Sequence, residues 1–591
     1  MVQIILNELY TLVRKEVNLE LKIVRGKSAL ELLNDKAFIL QWEGLSEQNG
    51  KTTIIQEPPF VLTWYRQYAD RYEPVLILSF DDNSCLVGIM PLAFILKNNY
   101  LTHAGDGQAE YHGWICKKNV EKDFLVKALI AVKHNFRVGK WQWRWMPPGS
   151  ETGWLYSEEL KKEKIYVRVV EKESPVLNLN DEDKIEKLKR NKSIRNKINR
   201  YRGKANFYIE RITSVENAGN VFDILSEQCD FRQMAAHEIT PFASDQNKKR
   251  FYIERLKFPL NNHFTVLWSG SNPIAFHYGA CDSDTVYLGL SSYDPVEERN
   301  SPGTILMIKL IELLKQEGYK YFDLTPGGDK YKERYCSFHR KLYLPSIYFS
   351  RKDKLIGDFR YFLKAGIRKL VISAGAEPAD VNRRVRNAFS FLREIRGTSP
   401  LKIASKFISK FYEKVIYVSC RCFSDDLLQN DRRADAGINV NSYTDLMFYN
   451  GSDPWLRKSI LLTTAIKRFS SGEKLYTMVR NGILVQYGWM ARGGIENGFP
   501  DFKTGSDHSE NGFILYDFFT EKGFKRKELI SETLEKMLFD CRHDADKEVS
   551  VSYQSNDDHL GCELEKRGFR VYRKISITKV LGLVIRKSMD H

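Results

Sequence analysis

The chain has 591 residues, 43% hydrophobic and 28% charged, with a formal net charge of +16. That length exceeds what one hydrophobic core organises and predicts three or four domains. The composition is that of a globular protein, and no run approaches ~18 consecutive apolar residues, so no spanning helix is expected. The opening "MVQIILNELYTLVRKEVNLE" mixes charge into its apolar residues and lacks a basic head before a clean apolar run, so export is not expected. Nine scattered cysteines without a CxxC argue against a metal knuckle or disulfide framework and for reduced, cytoplasmic thiols. The basic excess favours polyanionic partners: phosphorylated cofactors, nucleic acid or an anionic membrane face.

The first strong signal along the chain is a hairpin, "VLILSFDDNSCLVGIMPLAF", from Val75 to Phe94. A helical segment, "KDFLVKALIAVKHNF", and a strand-like "KWQWRWM" follow it. Residues 184 to 204 are densely basic, either as a solvated helix face or as a surface for phosphates, nucleic acid or anionic lipid. A second hairpin, "FTVLWSGSNPIAFHYGAC", runs from Phe264 to Cys281, and after it come a strand "TVYLGLSS", a Ser-Pro-Gly turn, a helix and the strand "YKYFDL". Residues from about 351 to 425 read as three basic helices, packed on a neighbouring domain or facing a membrane surface or nucleic acid. "DRRADAGINVNSYTD" reads as a linker. The third hairpin, "LYTMVRNGILVQYGWMA", turns on Asn481-Gly482, a pair that tolerates positive φ. It leads into "GFILYDFFT", a helix from "EKGFKRKELISETLEKMLFDC", and the strand "KEVSVSYQS". The order hairpin, strand, turn, helix, strand thus recurs at intervals of roughly 200 residues, as repeated domains would.

The turn of the second unit bears most directly on chemistry. Ser301 is expected to cap the helix that follows, Pro302 to occupy its first position, and Gly303 to leave room beside the free amides of the first turn. Such a helix start can hold an anion, or can be a capped terminus with nothing bound.

Several motifs carry a family resemblance. "LKRNKSIRNKINRYRGKANFYIERI", "PIAFHYGA", "YLGLSSYDPVEERNSPGTIL" and "GYKYFDLTPGGDKYKERY", with the spacing between them, resemble the CelD/BioF2-like branch of the GNAT acyltransferases. "FVLTWYRQYADRY", "LVGIMPLAF" and "AGDGQAEYHG" resemble that branch's N-terminal half. The likeness spans roughly residues 35 to 350, in a paired arrangement akin to the Fem transferases. "EKGFKRKELI" and "NDDHLGCELEKRGFRVYRK" resemble GNAT segments separately, although the third unit keeps only Gly523 of the family's glycine turn.

The resemblance implies an α/β (α+β) fold of three tandem GNAT-like units, mixed sheets flanked by helices. The expected divisions are 1–170, 171–350, a basic helical connector 351–430, and 431–591. It implies an acyltransferase using acetyl-CoA or another acyl-CoA, without a metal, by direct attack on the thioester. The acceptor is an amine or hydroxyl, on an amino sugar or another polysaccharide or glycoconjugate precursor. The expected setting is cytoplasmic, at the inner membrane face or with polysaccharide-synthesis machinery. The alternatives are a Fem-like transferase drawing on aminoacyl-tRNA and a non-catalytic scaffold of exopolysaccharide synthesis. The donor is expected at Leu288, Gly289 and Leu290, whose strand amide polarises the thioester, with Ser301, Pro302, Gly303, Thr304 and Lys332 on its phosphates. His277 is the first candidate base, since its ordinary pKa suits the task. Asp323 is expected to orient an amine or act as base, and Tyr331 to supply the acid for the thiolate. Asp294 and Arg299 are expected to face the acceptor, and Trp64, Tyr65, Asp106 and Tyr111 to line its cleft.

Overall fold

The computed structural model describes residues 19–49, 54–202, 207–327, 329–373, 412–423, 437–451, 456–492, 512–542, 548–580 and 583–589. Of the expected basic helices, the first forms, as Arg351–Ser373. The second, and the first part of the expected linker, lie outside the described residues. The end of the third is a strand instead: "YEKVIYVSCRCF" is rich in β-branched and aromatic residues, which favour a sheet over a helix. No helix among the described residues is long and apolar enough to cross a membrane. The chain packs as two compact units. One comprises residues 1–225, 245–292 and 303–370, the other 226–244, 293–302 and 371–591.

Among the described residues, the first unit holds three sheets. β1 (Glu20–Arg25), β2 (Glu73–Phe80), β3 (Leu86–Ile95) and β4 (Tyr100–His103) follow one another across the first, with β5 (Ile115–Cys116) also on β3. β2 and β3 are almost continuous apolar runs because both faces are covered. The helix α1 (Pro58–Tyr68) precedes β2, and α2 (Glu121–Asn135) buries Phe124, Leu125, Leu129 and Val132 with Ile77, Met90, Trp141 and Trp143. The third sheet joins chain segments far apart in sequence. β6 (Lys140–Gln142) lies at its edge, next to the long strand β14 (Phe338–Tyr348), which also pairs with β7 (Tyr166–Asn178) along its whole length.

The second sheet runs β12-β10-β9-β8, from β8 (Phe207–Ile212), β9 (Asn262–Ser269), β10 (Asn272–Ala280) and β12 (Leu290–Tyr293). The strand expected as "TVYLGLSS" is divided between sheets. Its first part, β11 (Thr285–Tyr287), pairs in parallel with β13 (Tyr321–Asp323) in the third sheet, whereas β12 continues beside β10. The break falls at Gly289, whose φ is +49°, and an added Cβ there would stand 2.5 Å from the Tyr278 carbonyl oxygen. The helix that follows, α4 (Pro302–Gln316), comes after α3 (Gln246–Arg255) and before the short α5 (Lys330–Tyr335). It buries Ile308, Leu310, Ile311 and Leu314 with Leu177, Val286 and Phe322.

The second unit is built on one eight-stranded sheet. Its order is β16 (Asn439–Val440), β17 (Lys474–Arg480), β18 (Ile483–Arg492), β19 (Phe513–Thr520), β20 (Glu548–Gln554), β15 (Tyr412–Phe423), β21 (Arg570–Val580) and β22 (Leu583–Met589). Asn481 and Gly482 take φ of 52° and 72°, as the hairpin between β17 and β18 requires. α6 (Lys458–Ser470), α7 (Arg526–Arg542) and α8 (Asp558–Lys566) flank the sheet.

The repeat expected from sequence is present as topology. In each case a hairpin and a strand are followed by a helix, and the next strand returns parallel to the first. Around α4 these are β11 and β13, and around α7 they are β19 and β20. Around α2 the parallel pairing shrinks to a bridge between Tyr111 and Trp145.

Candidate active site

Asp323 stands where two strands part. It is the last residue of β13 paired with β11, and its carbonyl accepts from the Leu288 N–H at 2.9 Å. Beyond that bond β12 turns away to β10, leaving Gly289 and Leu290 partly exposed at the break. The Asp323 side chain is 1% exposed. One carboxylate oxygen accepts from the Thr325 N–H at 2.8 Å, and the other accepts from the Tyr111 hydroxyl at 2.9 Å. Thr325 holds a left-handed φ of +59°, a costly conformation for a β-branched residue and one that clusters at functional sites. The Lys332 ammonium donates to the Thr325 carbonyl at 3.1 Å and so ties α5 to this turn.

Tyr111 reaches Asp323 from a pinned segment. Arg144 donates to the carbonyls of Gly107 and Ala109, at 2.8 and 3.2 Å. His112 Nδ1 accepts from the Arg144 N–H at 3.1 Å, so its Nε2 carries the proton and donates to the Asp106 carbonyl at 3.2 Å. Gln56 donates to the Tyr111 carbonyl at 3.0 Å. The Tyr111 ring meets Tyr287 edge-on, 5.8 Å between centroids.

Burial shifts Asp323, Tyr111, Glu110 and Lys332 toward their neutral forms. It raises Asp323 above the usual carboxylate range, against the Thr325 and Tyr111 hydrogen bonds that oppose it. It raises Tyr111 well above an ordinary phenol, with the Asp323 charge adding to the effect. It raises Glu110, opposed by Arg255 and Arg144 and reinforced by Asp323. It lowers Lys332, against the pull of Asp329, Asp323 and Glu110. Two carboxyl groups, a phenol and an amine with displaced pKa values around one strand break form the arrangement expected of proton-transfer chemistry.

The structure separates the other candidate residues. His277 is fully buried, and its Nε2 donates to the Tyr287 carbonyl at 3.1 Å, with the Phe322 ring edge-on at 5.7 Å. Burial and the neighbouring His263 push its pKa down to about 3. That environment suits a support for the strand break rather than a base, which corrects the expectation. His277→Asn should therefore keep activity within about threefold of wild type wherever the variant is folded, not the roughly 100-fold loss of a general base. The sign of its pH effect follows from the depressed pKa. The unfolded chain takes up a proton that the folded chain refuses, so stability is full above pH ~6.5 and falls as pH drops below it. Urea titrations between pH 5 and 8 should show part of that slope lost in His277→Asn.

Trp64, Tyr65 and Asp106 do not line a cleft. Trp64 is fully buried, donates to Gln108 at 3.2 Å and stacks on Tyr68. The Tyr65 hydroxyl donates to the Leu92 carbonyl at 2.5 Å. The Asp106 carboxylate accepts from Tyr72, Tyr100 and Thr102, a full set of internal partners. Lys332 is 6% exposed and committed to Thr325, so it is not a free phosphate ligand. Tyr331, one residue earlier, is 42% exposed. Gly303 and Thr304 open α4 in the first unit, whereas Ser301 and Pro302 belong to the second. Ser301 has φ +56° and its N–H closes the preceding turn on Glu298, so it lacks the extended backbone of a capping residue. Asp294 and Arg299 also belong to the second unit. Asp294 caps its own turn by accepting from the Val296 N–H at 2.8 Å, and burial raises its pKa to about 6. Arg299 lies against Gly472, where a Cβ would stand 2.4 Å from its guanidinium. Among the described residues one group of metal-ligand type occurs, Glu333, Cys336 and His339 near α5, and it does not include Asp323.

Glu110, Tyr287 and Thr325 were not singled out by sequence reasoning. Only Glu110 had a signal, as an acid between the Gly-rich turn and Tyr111 in "AGDGQAEYHG". Residues 189–333 match the family model of an acetyltransferase (GNAT) domain. The chain carries a GNAT domain. That assigns it to the acyltransferases. The GNAT match includes the strand break, Asp323, Tyr331 and Lys332, but Glu110 and Tyr111 come from outside it. No curated protein matches the sequence. Solved structures with similarity include a conserved protein of unknown function from Bacteroides thetaiotaomicron, 12% identical over 52% of this chain and 97% of its own, with a TM-score of 0.37. FemX is 9% identical over 52% of this chain and 95% of its own, with a TM-score of 0.30. A tandem GNAT protein from the clavulanic acid biosynthesis pathway is 11% identical over 55% and 98%, with a TM-score of 0.33.

Proposed function

We propose that the first unit transfers an acyl group from acyl-CoA, most simply acetyl-CoA, to an amine or hydroxyl of an amino sugar or related polysaccharide precursor. The observation that carries this reading is the buried Asp323–Tyr111 hydrogen bond at the point where the chain leaves β13 between β11 and β12, inside a GNAT domain. The thioester enters the gap beside Gly289 and Leu290, whose backbone amides polarise its carbonyl. The nucleophile gives its proton to the Tyr111 oxygen as Tyr111 passes its own to Asp323, so no ionised phenol is needed. Glu110 is the second carboxyl able to take a proton from the acceptor. The attacking atom bonds the acyl carbon, the carbon–sulfur bond breaks, and Tyr331 protonates the departing thiolate.

The test is calorimetry of the full chain with acetyl-CoA, followed by mass spectrometry of amino sugars incubated with both. Binding of acetyl-CoA and a mass gain of one acetyl group on an amino sugar are expected. Retention of aminoacyl-tRNA without affinity for acetyl-CoA would overturn the donor and favour the Fem-like alternative.

A further inference from the structure

The second unit contains its own cavity at a strand parting. Phe513–Leu515 of β19 pair in parallel with Val549–Val551 of β20. Beyond that, β19 follows β18, while Ser552, Tyr553 and Gln554 of β20 follow β15. The gap opens into a cavity of about 820 Å³, in the size range of small-molecule sites. A second cavity of about 440 Å³ shares Thr464, Arg468, Asp517 and Phe518 with it.

Arg468 marks the place where the two cavities meet. It is 8% exposed, donates to Asp517 at 2.5 Å, and lies over the Trp489 and Tyr516 rings at 4.9 and 4.8 Å. Its buried Nε–H has no partner among the described residues. A buried donor left unpaired is costly, and a ligand oxygen would satisfy it. Asp517 takes a left-handed φ of +53°, a further strained position at this spot.

The wall is balanced in charge. Lys467, Arg468 and Arg526 face Asp517, Asp557 and Asp558, with His559 beside them. Arg526 is itself paired with Asp557 at 2.5 Å. A ligand with strong net charge gains little Coulomb energy from such a wall. What the wall offers is aromatic side chains, Phe518 and Tyr553, alternating with amide and hydroxyl groups of Asn556, Gln554 and Thr464. A molecule with apolar ring faces and a rim of hydroxyls matches both.

We propose that this cavity binds a neutral saccharide, with a ring face on the aromatic side chains and a hydroxyl oxygen on Arg468 Nε. The site shares no residue with the Asp323 cluster and does not depend on the reading given there. The test uses the full chain with cellobiose, N-acetylglucosamine, glucuronate and coenzyme A, by saturation-transfer NMR and calorimetry. One of the neutral sugars should bind at least about tenfold more tightly than glucuronate. Thr464→Trp, which fills the junction of the two cavities, should weaken that binding at least about tenfold, and so should Asn556→Ala on the exposed rim. Asp323→Asn should leave it unchanged. The proposal is overturned if neither neutral sugar shows saturation transfer, or if Thr464→Trp binds as wild type does. It is equally overturned if glucuronate binds better, or if coenzyme A binds in a manner that Thr464→Trp abolishes.

Discussion

Replacing Asp323 by Asn in the full chain should lower acyl transfer at least about 100-fold and, at neutral pH, make the protein more stable. The first effect follows from the loss of the final proton acceptor, because a carboxamide can occupy the same space between Thr325 and Tyr111 but cannot take a proton. The second follows from the direction of the pKa shift. Burial raises Asp323 above its ordinary value of 3.8. The stability its shift contributes is therefore full below that value and is lost as pH rises through the higher folded value. At neutral pH the wild type carries a buried carboxylate at a cost that Asn does not. The advantage of Asp323→Asn in urea titrations should accordingly grow from pH 4 to pH 7. An equal loss of stability at both would show that the carboxylate is not strained. The acid limb of kcat/KM in wild type should lie above the ordinary carboxylate range, since burial raises both Glu110 and Asp323. A variant with normal activity would remove Asp323 from the mechanism.

Gly279→Ala should have the largest effect on the fold of the first unit. An added Cβ at this position in β10 would stand 1.7 Å from the Tyr287 carbonyl oxygen and 2.9 Å from His277 Nε2. The oxygen belongs to the backbone of β11 and cannot rotate away. Overpacking of this kind costs about 3 kcal/mol or more when a strand must move to relieve it. The change also falls on the carbonyl that His277 supports, two residues before the strand break at Gly289. Chemical denaturation should show the loss of stability, and any folded fraction should have weakened acetyl-CoA binding. A neighbouring swap with no such contact, Gly270→Asn in the β9–β10 turn, should cost far less: nothing lies within 4 Å of its Cβ, and its φ of +63° suits Asn.

Much of the architecture was legible in the chain. All three hairpins, α4 and the Arg351–Ser373 helix follow from local patterns: apolar runs between turn residues, or apolar residues at helical spacing. Such patterns act over a few residues, so they survive whatever the tertiary structure does. The segment ending at Phe423 suits either a helix or a strand edge, because Glu413, Lys414 and Arg421 interrupt its apolar residues. Pairing with β20 and β21 decided between them.

The site was legible only in pieces. Local patterns in the chain are enough to show that Asp323 ends a strand, that Tyr111 follows a Gly-rich turn, and that a GNAT-like order of elements surrounds the former. Those patterns assign the two residues to different tasks, because 212 positions separate them and no local rule connects them. Their hydrogen bond exists because the third sheet draws β6 from one segment and β7, β13 and β14 from the other. Burial, too, was decided by the tertiary structure alone. It closed His277, Trp64 and Tyr65 inside the core, committed Lys332 to a carbonyl, and shifted Glu110 and Asp323 together. Residue type sets what chemistry a side chain can do. Whether water, substrate or another side chain reaches it depends on contacts between distant segments, and those arise only when the sheets assemble.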